Sequence, residues 1–359
     1  MIIVKSIFLF GFYGYGNLGD EILLENSLRL LSNYDEIAKL VILSPKIPRF
    51  SGDGFINFEL DNVSKYNFPK LLKAINSCDL MIGGGGGIFQ DETSLRSFLY
   101  YSSLVKYALM AKKPVLLLGQ SLGPLRSPIS RRVMKKILVS NLVYPLMRDP
   151  VSYRYAKLFS KHAVLSTDLA FTYIPQIPNI EKNPKKFSLA IKEPLIVNSD
   201  FFHILKSLGF KKVDLLIFFP KEEEKTALKN METLKKHFEV SISIGYKRIV
   251  ESIASSSLTF TQRLHGAILS LIFSTKFIAS KTPKIVRTFH EFTYPGFANF
   301  SSSFELVDSI EKILEFDFES YRRKTLKIFL KRSENVRKML NFFLEAKYTP
   351  KNLIFESKT

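Results

Sequence analysis

The sequence predicts an α/β protein made of two Rossmann-like domains that face each other across a cleft. Short apolar runs alternate with helix-length amphipathic stretches in the first half of the chain, which is typical of parallel βαβ units. The alternation stops in a proline-rich stretch after Phe171 and then resumes. With 359 residues, the chain has room for two domains of roughly 100–200 residues each.

In the first half, each predicted strand is followed by a loop and then by a helix. The strands are Ser6–Phe10, Leu40–Leu43, Leu80–Ile82, Val115–Leu118 and Leu142–Met147. The helices are Asp20–Leu31, Phe68–Asn76, Ser94–Ala111 and Ser130–Val139. Because parallel strands place their carboxyl ends at one edge, we expect the loops after these strands to form a ligand-binding rim.

A linker is predicted after Phe171 from a group of turn-forming residues: Pro175, Pro178, Asn179, Asn183 and Pro184. Strands then resume at Ser188–Ile191, Val213–Phe219, Val240–Ile244, Leu258–Thr261 and Lys276–Ala279, with helices such as Lys221–His237 and Leu264–Phe273 between them. The stretch Glu315–Ala346 has helical periodicity. The predicted domains are therefore 1–178, 179–312 and a C-terminal helical segment, 313–359, that packs back on the first domain.

Composition and charge narrow the class of protein. Apolar residues make up 46% of the chain and charged residues 24%, which excludes a disordered protein. Lysine and arginine total 52 against 33 acidic residues, a formal net charge of +19. This charge favours anionic partners such as nucleic acid, phosphorylated metabolites or anionic lipid surfaces, although a solvated lysine-rich surface also accounts for such an excess.

The cellular setting is predicted from cysteine usage and from hydropathy. Cys78 is the sole cysteine, so neither an intrachain disulfide nor a thiolate metal site is expected. The segment Met1–Phe10 is interpreted as a first strand and not as a signal peptide, and no run of about 18 apolar residues predicts a transmembrane helix. We expect a cytoplasmic protein with peripheral contact to the membrane surface.

The loop between the first strand and the first helix contains Gly14-x-Gly16-x-x-Gly19. Backbone amides at the start of a helix can bind an anion or the hydroxyl groups of a sugar. The spacing is similar to the dinucleotide fingerprint, but the second strand runs into Ser44-Pro45 and not into an acidic ribose-binding residue. A tight turn in which Asn17 and Asp20 cap the helix is the alternative interpretation.

Five successive glycines, Gly83–Gly87, carry a cost in conformational entropy that a simple turn does not require. They predict that another group approaches this backbone closely. Polar side chains that could bind a ligand lie just after the glycines and after the next strand. Capping of a helix is the alternative role for these side chains. The candidates for acceptor or anion binding in these loops are Gly14, Asn17, Gly19, Gly85, Gly86, Gln90, Gln120 and Ser121.

Several cations follow strands and are candidates for binding an anionic substrate. Arg148 ends the fifth strand, where a planar guanidinium can grip a carboxylate or phosphate, although a pair with Asp149 is an alternative. Arg263 and His265 open an apolar helix directly after a strand, and a histidine there can bind an anion or transfer a proton. Lys284 follows the next strand, where a solvated lysine is the alternative.

Taken in order, these segments resemble the polysaccharide pyruvyl transferase family, and within it the cell-surface anchoring (CsaB-type) branch. The resemblance covers most of the chain and rests on Gly11–Glu21, Gly83–Gly87, Gln90–Ser97, Tyr100-Tyr101, Lys113-Pro114, Gly119–Leu125, Arg148–Ser152, Thr167–Phe171 and Arg263–His265. It implies a GT-B-like fold with an acceptor-side first domain, a donor-side second domain and a phosphoenolpyruvate site in the cleft. The implied acceptor is N-acetylmannosamine in a lipid-linked cell-wall polysaccharide precursor.

The resemblance also implies a donor-binding set made of Arg148, His265 and Lys284, to which Arg263 is added as a candidate because a doubly anionic donor needs separate cations. The chain departs from the family pattern at two places. Lys192 stands where an arginine is usual, and Ser280–Lys284 replaces a Tyr-Asp-Pro-Lys stretch, so that Lys281 competes with Lys284 as the donor-site lysine.

The expected chemistry assigns roles to these residues. Phosphoenolpyruvate carries a carboxylate and a phosphate, which require separate cationic clamps. His265 would stabilise the phosphate or deliver a proton, and Asp20 or Asp91 would act as the base on the acceptor side. No cofactor is expected. The scheme requires no metal, and Asp20, Asp91 and Asp168 are too scattered in sequence to predict a metal site, so that metal dependence stays open.

Two other functions fit parts of the pattern. A GT-B glycosyltransferase that uses a nucleotide sugar would show the same two halves. A nucleic-acid-binding protein would account for the charge, but the chain contains no recognised motif for it, and we expect no nucleic-acid partner. The sequence does not predict an oligomeric state.

Overall fold

The computed structural model describes residues 6–47, 54–174 and 180–345, which form two compact units. The first unit holds the chain up to Tyr15, Asp20–Tyr173 and the chain from Phe329 onward. The second holds Gly16–Gly19 and Ile174–Ile328. The predicted boundary between residues 178 and 179, with Pro175 and Pro178 of the predicted linker, lies outside the described residues.

The first unit contains a seven-stranded sheet in the order β3-β2-β1-β4-β5-β6-β7, in which neighbouring strands pair in parallel. Its strands are β1 Ser6–Phe10, β2 Lys39–Leu43, β3 Glu59–Val63, β4 Leu80–Phe89, β5 Val115–Leu122, β6 Val143–Met147 and β7 Val164–Leu165. Its helices are α1 Leu18–Leu31, α2 Phe68–Ser77, α3 Leu95–Met110, α4 Pro128–Leu138 and α5 Pro150–Lys157, followed by a 3-10 turn at Leu169–Phe171.

The second unit contains a six-stranded parallel sheet in the order β10-β9-β8-β11-β12-β13. Its strands are β8 Asn183–Ala190, β9 Lys212–Ile217, β10 Glu239–Ile244, β11 Ser256–Thr261, β12 Lys276–Ser280 and β13 Phe297–Ala298. Its helices are α6 Ser199–Ser207, α7 Pro220–Leu234, α8 Tyr246–Ser255, α9 Leu264–Ile272, α10 Pro283–Phe289 and α11 Ser303–Glu315. A last helix, α12 Phe318–Leu344, begins in the second unit and continues into the first.

Alternation along β1 shows how the first core is built. Ile7 and Leu9 belong to a core cluster on one side of the sheet, whereas Phe8 and Phe10 belong to the cluster on the other side. The first of these clusters also includes apolar residues of α12, namely Val336, Met339, Leu340, Phe343 and Leu344. Burial on both faces explains why β1 is a continuous apolar run.

Two predicted strand ends were wrong. β4 was predicted to end at Ile82 and β5 at Leu118, but the strands continue to Phe89 and Leu122. The glycines stay in the sheet because their backbones keep pairing with the neighbouring strand, with Gly84 opposite Leu118. Glycine is a poor strand former on its own, so the pairing partner overrides the local preference.

Two further features depart from the sequence patterns. β3 (Glu-Leu-Asp-Asn-Val) lies at the sheet edge, where polar residues are tolerated, and its sequence lacks the apolar alternation that predicts a strand. Asn183 and Pro184, placed in the linker from sequence, open β8 instead. A proline is compatible with the beginning of a strand, where few ladder hydrogen bonds are lost.

Within the described ranges, no helix has both the length and the apolar character that crossing a bilayer requires.

Cys78 provides a probe of unfolding in the first unit. It is buried in the core, and this burial raises the pKa of its thiol to about 12. Because thiolate is the reactive form, we expect the native protein to react with a disulfide reagent at pH 8 at least about 10³-fold more slowly than the urea-unfolded chain. Absorbance of the released thiol gives both rates, and comparable rates would contradict the burial of Cys78.

Candidate functional site

Cationic side chains follow three neighbouring strands of the second sheet. Lys192 lies just after β8, Arg263 after β11 and Lys281 after β12. These strands are adjacent and parallel, so the three residues share one edge of the sheet. The order reverses between β8 and β11, and such a switch point is where open α/β sheets bind ligands.

Arg263 and His265 sit at the start of α9. Arg263 occupies the N-cap position, and its backbone N–H donates to Thr261 Oγ1 at 2.9 Å. The half-buried His265 imidazole packs against the backbone of Gly19. Both residues belong to the second unit. A Cβ on Gly19 would overlap the Nδ1 atom of His265. Glycine at position 19 is therefore required by the histidine, a role that the sequence pattern does not show.

Glu223 is a site residue that sequence reasoning missed. Its carboxylate is buried, one oxygen accepts from the N–H groups of Phe218 (2.8 Å) and Phe219 (3.0 Å), and the other pairs with the Arg263 guanidinium. Glu223 therefore links the end of β9 to the cation after β11. The sequence gives no clear signal for this role, because an acidic residue in the first turn of a helix is usual on dipole grounds alone.

The two competing lysines differ in their surroundings. Lys281 pairs with Glu305 at 2.5 Å, and this hydrogen bond lowers the pKa of the Glu305 carboxyl. Lys284 is exposed in the first turn of α10. An exposed ion pair is weak, so the pairing of Lys281 does not by itself decide which lysine acts on a substrate.

In the first unit, the first glycines of the polyglycine segment accommodate the protein's own side chains. Tyr13 is buried, its hydroxyl donates to Gly84 O at 2.6 Å, and a Cβ on Gly84 would overlap that hydroxyl. A Cβ on Gly83 would come within 3.0 Å of the Phe10 ring. The close approach predicted from the glycines is therefore supplied, at these two positions, by the core.

Gly85 and Gly86 have a different role, because both adopt positive φ angles (+88° and +95°). Asp20 Oδ1 lies 3.6 Å from the position that a Cβ on Gly86 would take. Burial raises the pKa values of Tyr13 and Tyr101 well above 10, and the charge of Asp20 adds to both shifts. A carboxylate therefore lies next to the buried backbone of Gly86, beside two neutral phenols.

Gln120 and Arg148 are buried at the same sheet edge. Gln120 Nε2 donates to Gly85 O at 2.7 Å, and Arg148 pairs with Asp168 at 2.7 Å. Asp168 in turn accepts from Ala170 N–H at 2.9 Å. Gln120 Oε1 and Arg148 Nε have no hydrogen-bond partner among the described residues. The partner of Arg148 is thus Asp168, and not the neighbouring Asp149.

Asp149 and Ser121 belong to a structural network. Asp149 caps α5 by accepting from Ser152 N–H at 2.8 Å, and its other oxygen accepts from Ser121 Oγ at 2.8 Å. Ser152 Oγ accepts from Leu122 N–H at 2.8 Å. The Ser121 hydroxyl therefore helps to join β5 to α5.

Asp91 and Gln90 also bind groups of the chain. The Asp91 oxygens accept from the N–H groups of Arg126 (2.7 Å) and Ser127 (2.8 Å). Burial alone would raise the pKa of Asp91, but these hydrogen bonds outweigh it and the pKa is lowered. Gln90 Oε1 accepts from Thr93 N–H at 3.1 Å, and its Nε2 donates to Thr93 Oγ1.

Two amides of the first glycine loop donate to side chains. Gly14 N–H donates to Glu21 Oε1 at 2.9 Å. Asn17 lies just before α1 and accepts from Gly19 N–H at 3.2 Å. This second bond agrees with the capping role that was the alternative interpretation of Asn17.

A sequence model of one family, "Polysaccharide pyruvyl transferase", matches residues 17–281. The chain belongs to the polysaccharide pyruvyl transferase family. The match includes Asp20, Arg148, Arg263 and His265 and ends at Lys281, so Lys284 lies outside it. No curated protein matches this chain in a sequence search.

Three solved structures illustrate the fold that this chain shares. Anabaena Alr3699/HepE in complex with UDP and glucose is 11% identical (TM-score 0.59; 94% of this chain and 99% of that chain covered). S. aureus MnaA with UDP is 10% identical (TM-score 0.61; 96% of this chain and 99% of that chain covered). UDP-GlcNAc 2-epimerase from Methanocaldococcus jannaschii is 12% identical (TM-score 0.57; 93% of this chain and 99% of that chain covered). The predicted fold class, two parallel-sheet α/β domains of the GT-B-like type, is confirmed.

The described residues contain no group of three or more His, Cys, Asp or Glu side chains that could hold a metal ion. The candidate groups of the site are cations, carboxylates and backbone amides. The structure places Lys192, Arg263, His265 and Lys281 at one edge of the second sheet, and Asp20, Gly85, Gly86, Gln120 and Arg148 at one edge of the first.

Replacing Glu223 tests its part in this arrangement. Glu223→Ala leaves the Arg263 guanidinium and two amides without their partner, so we expect a loss of about 3–5 kcal/mol in the free energy of unfolding. Glu223→Gln keeps the shape and an acceptor and should lose less. Glu224→Ala, at the exposed neighbouring position, should stay within about 0.5 kcal/mol of the parent. Urea unfolding measures all three, and equal losses for positions 223 and 224 would rule out the role of Glu223.

Proposed function

We propose that this protein transfers the enolpyruvyl group of phosphoenolpyruvate to a sugar, forming a pyruvate ketal and releasing inorganic phosphate. Family membership supports the pyruvyl transfer. The observation that carries the choice of donor is the pair Arg263 and His265 at the start of α9, with lysines after the neighbouring strands. A small donor with two anionic groups suits a set of separate cations.

On the donor side, Arg263 supplies a planar guanidinium that can bind a carboxylate or phosphate through two N–H groups. Its salt bridge to Glu223 holds it in place without using all of its donors. His265 adds a group that can carry a positive charge or deliver a proton. Lys284, with Lys281 as its competitor, would contribute an ammonium group from the next loop.

The reaction requires two hydroxyl groups of the sugar. A proton is added to the methylene carbon of phosphoenolpyruvate, so that the adjacent carbon becomes electrophilic and forms a bond to the first hydroxyl oxygen. The bond between that carbon and the phosphate oxygen then breaks, and the second hydroxyl oxygen closes the ring. One hydroxyl proton balances the new methyl group, and the other leaves with the phosphate.

Between the two candidate bases, we favour Asp20. The Asp91 oxygens each accept a backbone N–H, which stabilises the ionised form and weakens it as a proton acceptor. Asp20 lies over Gly86, beside the phenols of Tyr13 and Tyr101. A base in this position lies at the sheet edge of the first unit to which we assign the acceptor sugar.

Arg148 remains part of the proposed donor-binding set. Its guanidinium is fixed by Asp168 through Nη1, and its buried Nε has no hydrogen-bond partner among the described residues. Replacing Arg148 would also remove the ion-pair partner of the buried Asp168 carboxylate. The free energy of unfolding therefore has to be measured together with the affinity for the donor.

The identity of the acceptor sugar is a further part of the proposal. The resemblance to the CsaB-type branch favours N-acetylmannosamine in a lipid-linked cell-wall polysaccharide precursor, as for proteins that anchor a surface layer. Such an acceptor is made at the cytoplasmic face of the membrane, and a net charge of +19 favours peripheral contact with anionic lipid there. No cofactor enters this scheme.

A nucleotide-sugar glycosyltransferase is the second candidate, since HepE and MnaA, which share the fold, were crystallised with UDP. Incubation with phosphoenolpyruvate and a panel of synthetic or lipid-linked sugars should release inorganic phosphate and add one ketal-linked pyruvate to a sugar, detected by mass spectrometry. UDP-sugars should give no product. Transfer from a UDP-sugar without phosphate release from phosphoenolpyruvate would replace the proposal by the second candidate.

His265→Ala tests the role of the histidine. If His265 transfers a proton, turnover at saturating donor should fall by about 10²-fold or more. His203→Ala removes an exposed histidine of the same unit and should leave turnover unchanged. Initial rates of phosphate release measure both variants, and near-parent turnover of His265→Ala would refute the assignment.

A further inference from the structure

A lysine-rich concave surface lies in the second unit at the sheet edge opposite to Arg263 and His265. It forms an open, shallow depression of about 480 Å³, and we call it the basic pocket. Its charged lining is Lys206, Lys211, Lys235, Lys236, His237 and Glu239. Lys211 and Glu239 lie where β9 and β10 begin, whereas Arg263 follows the end of β11, and a six-residue strand such as β9 spans about 20 Å. The basic pocket is therefore separate from the proposed donor site.

Helix ends explain single lysines in this pocket but not the group. Lys206 lies in the last turn of α6, and Lys235 is the C-cap of α7, positions where a cation is favoured by the helix dipole. Lys211 belongs to neither helix, because it immediately precedes β9. Chain segments from three places in the sequence therefore bring their positive charges to one depression.

The positive charge of the pocket is not balanced by acidic residues. Glu239 is the one acid in the lining, and it pairs with Lys212, which is outside the lining, at 3.0 Å. In the part of the chain that the structure describes, no carboxylate lies within ion-pair distance of Lys206, Lys211, Lys235 or Lys236. Four ammonium groups around one concave surface repel each other, and an anion would relieve that repulsion.

The pKa of His237 is sensitive to the positive charge of these lysines. Its half-buried ring stacks on Phe202, with 4.0 Å between ring centroids and 9° between planes. Burial lowers the pKa of His237, and the charges of Lys206 and Lys236 lower it further. The charged groups around it are Lys206 from α6, Lys211 before β9, Lys235 and Lys236 from its own turn, and Glu239 from β10. An anion held among these groups would stabilise the protonated ring and raise the pKa of His237.

We propose that the basic pocket binds a phosphate-bearing group. The depression is large enough for a phosphate or a pyrophosphate, and its lysines come from three chain segments, which suits a compact multivalent anion. The group is either a soluble phosphate compound or the head group of an anionic phospholipid. The inference stands apart from the proposed pyruvyl transfer, since it uses none of the residues of that site.

Inorganic pyrophosphate is the first probe, at 0.15 M salt so that weak surface attraction is screened. The chain has five histidines, and His237→Asn identifies the His237 signal in NMR spectra by its loss. Saturable binding with a rise of about half a pKa unit or more at His237, and smaller changes at the other histidines, is expected. No saturable change at His237 would overturn the proposal.

Two double variants distinguish binding at a specific site from nonspecific attraction by the net charge of the protein. Lys206→Gln/Lys236→Gln should raise the pKa of His237 in the free protein, because repulsion is removed, and should weaken pyrophosphate binding by at least about tenfold. Lys225→Gln/Lys229→Gln carries the same charge change on exposed positions of α7 outside the lining. It should leave both properties as in the parent. Equal weakening in the two variants would mean that net charge alone attracts the anion, which would also overturn the proposal.

Vesicles identify the source of the phosphate. Co-sedimentation compares phosphatidylcholine vesicles with vesicles that also contain roughly 30% phosphatidylglycerol. Binding to the anionic vesicles that is lost in Lys206→Gln/Lys236→Gln and kept in Lys225→Gln/Lys229→Gln supports a lipid head group. Pyrophosphate binding without such vesicle binding supports a soluble phosphate compound.

Discussion

Parallel pairing of the described strands is the constraint on which the arrangement of functional groups depends. Residues that follow β8, β11 and β12 are distant in sequence, yet they share one edge because neighbouring strands run in the same direction. The same geometry brings the end of β1, the polyglycine segment and Gln120 to one edge of the first sheet. The beginnings of β9 and β10 lie at the opposite edge of their sheet, where the basic pocket is found.

Close packing divides the polyglycine segment into two parts. Gly83 and Gly84 leave room for Phe10 and for the buried hydroxyl of Tyr13, so these glycines serve the core. Gly85 and Gly86 have backbone angles that residues with side chains rarely adopt, and Asp20 lies next to Gly86. A single run of identical residues therefore serves both close packing in the core and a backbone conformation that other residues rarely adopt.

Two buried carboxylates hold two guanidinium groups. Asp168 fixes Arg148 in the first unit, and Glu223 fixes Arg263 in the second. Each carboxylate also accepts backbone N–H groups, which offsets the cost of removing its charge from water. Such pairs restrict the side-chain freedom of an arginine before a substrate arrives, so less entropy is lost on binding.

The amino-acid sequence by itself determined the class of fold and the family. Apolar runs of strand length separated by helical stretches are local patterns, and the motif at Arg263–His265 is contiguous, so both can be recognised without coordinates. The tertiary structure decided which groups meet. Only folding pairs Glu223 with Arg263, Asp168 with Arg148 and Gly19 with His265, because these contacts join residues far apart in the chain. It also decided that β4 continues through the glycines, since the hydrogen bonds that keep this backbone extended come from neighbouring strands and not from its own side chains.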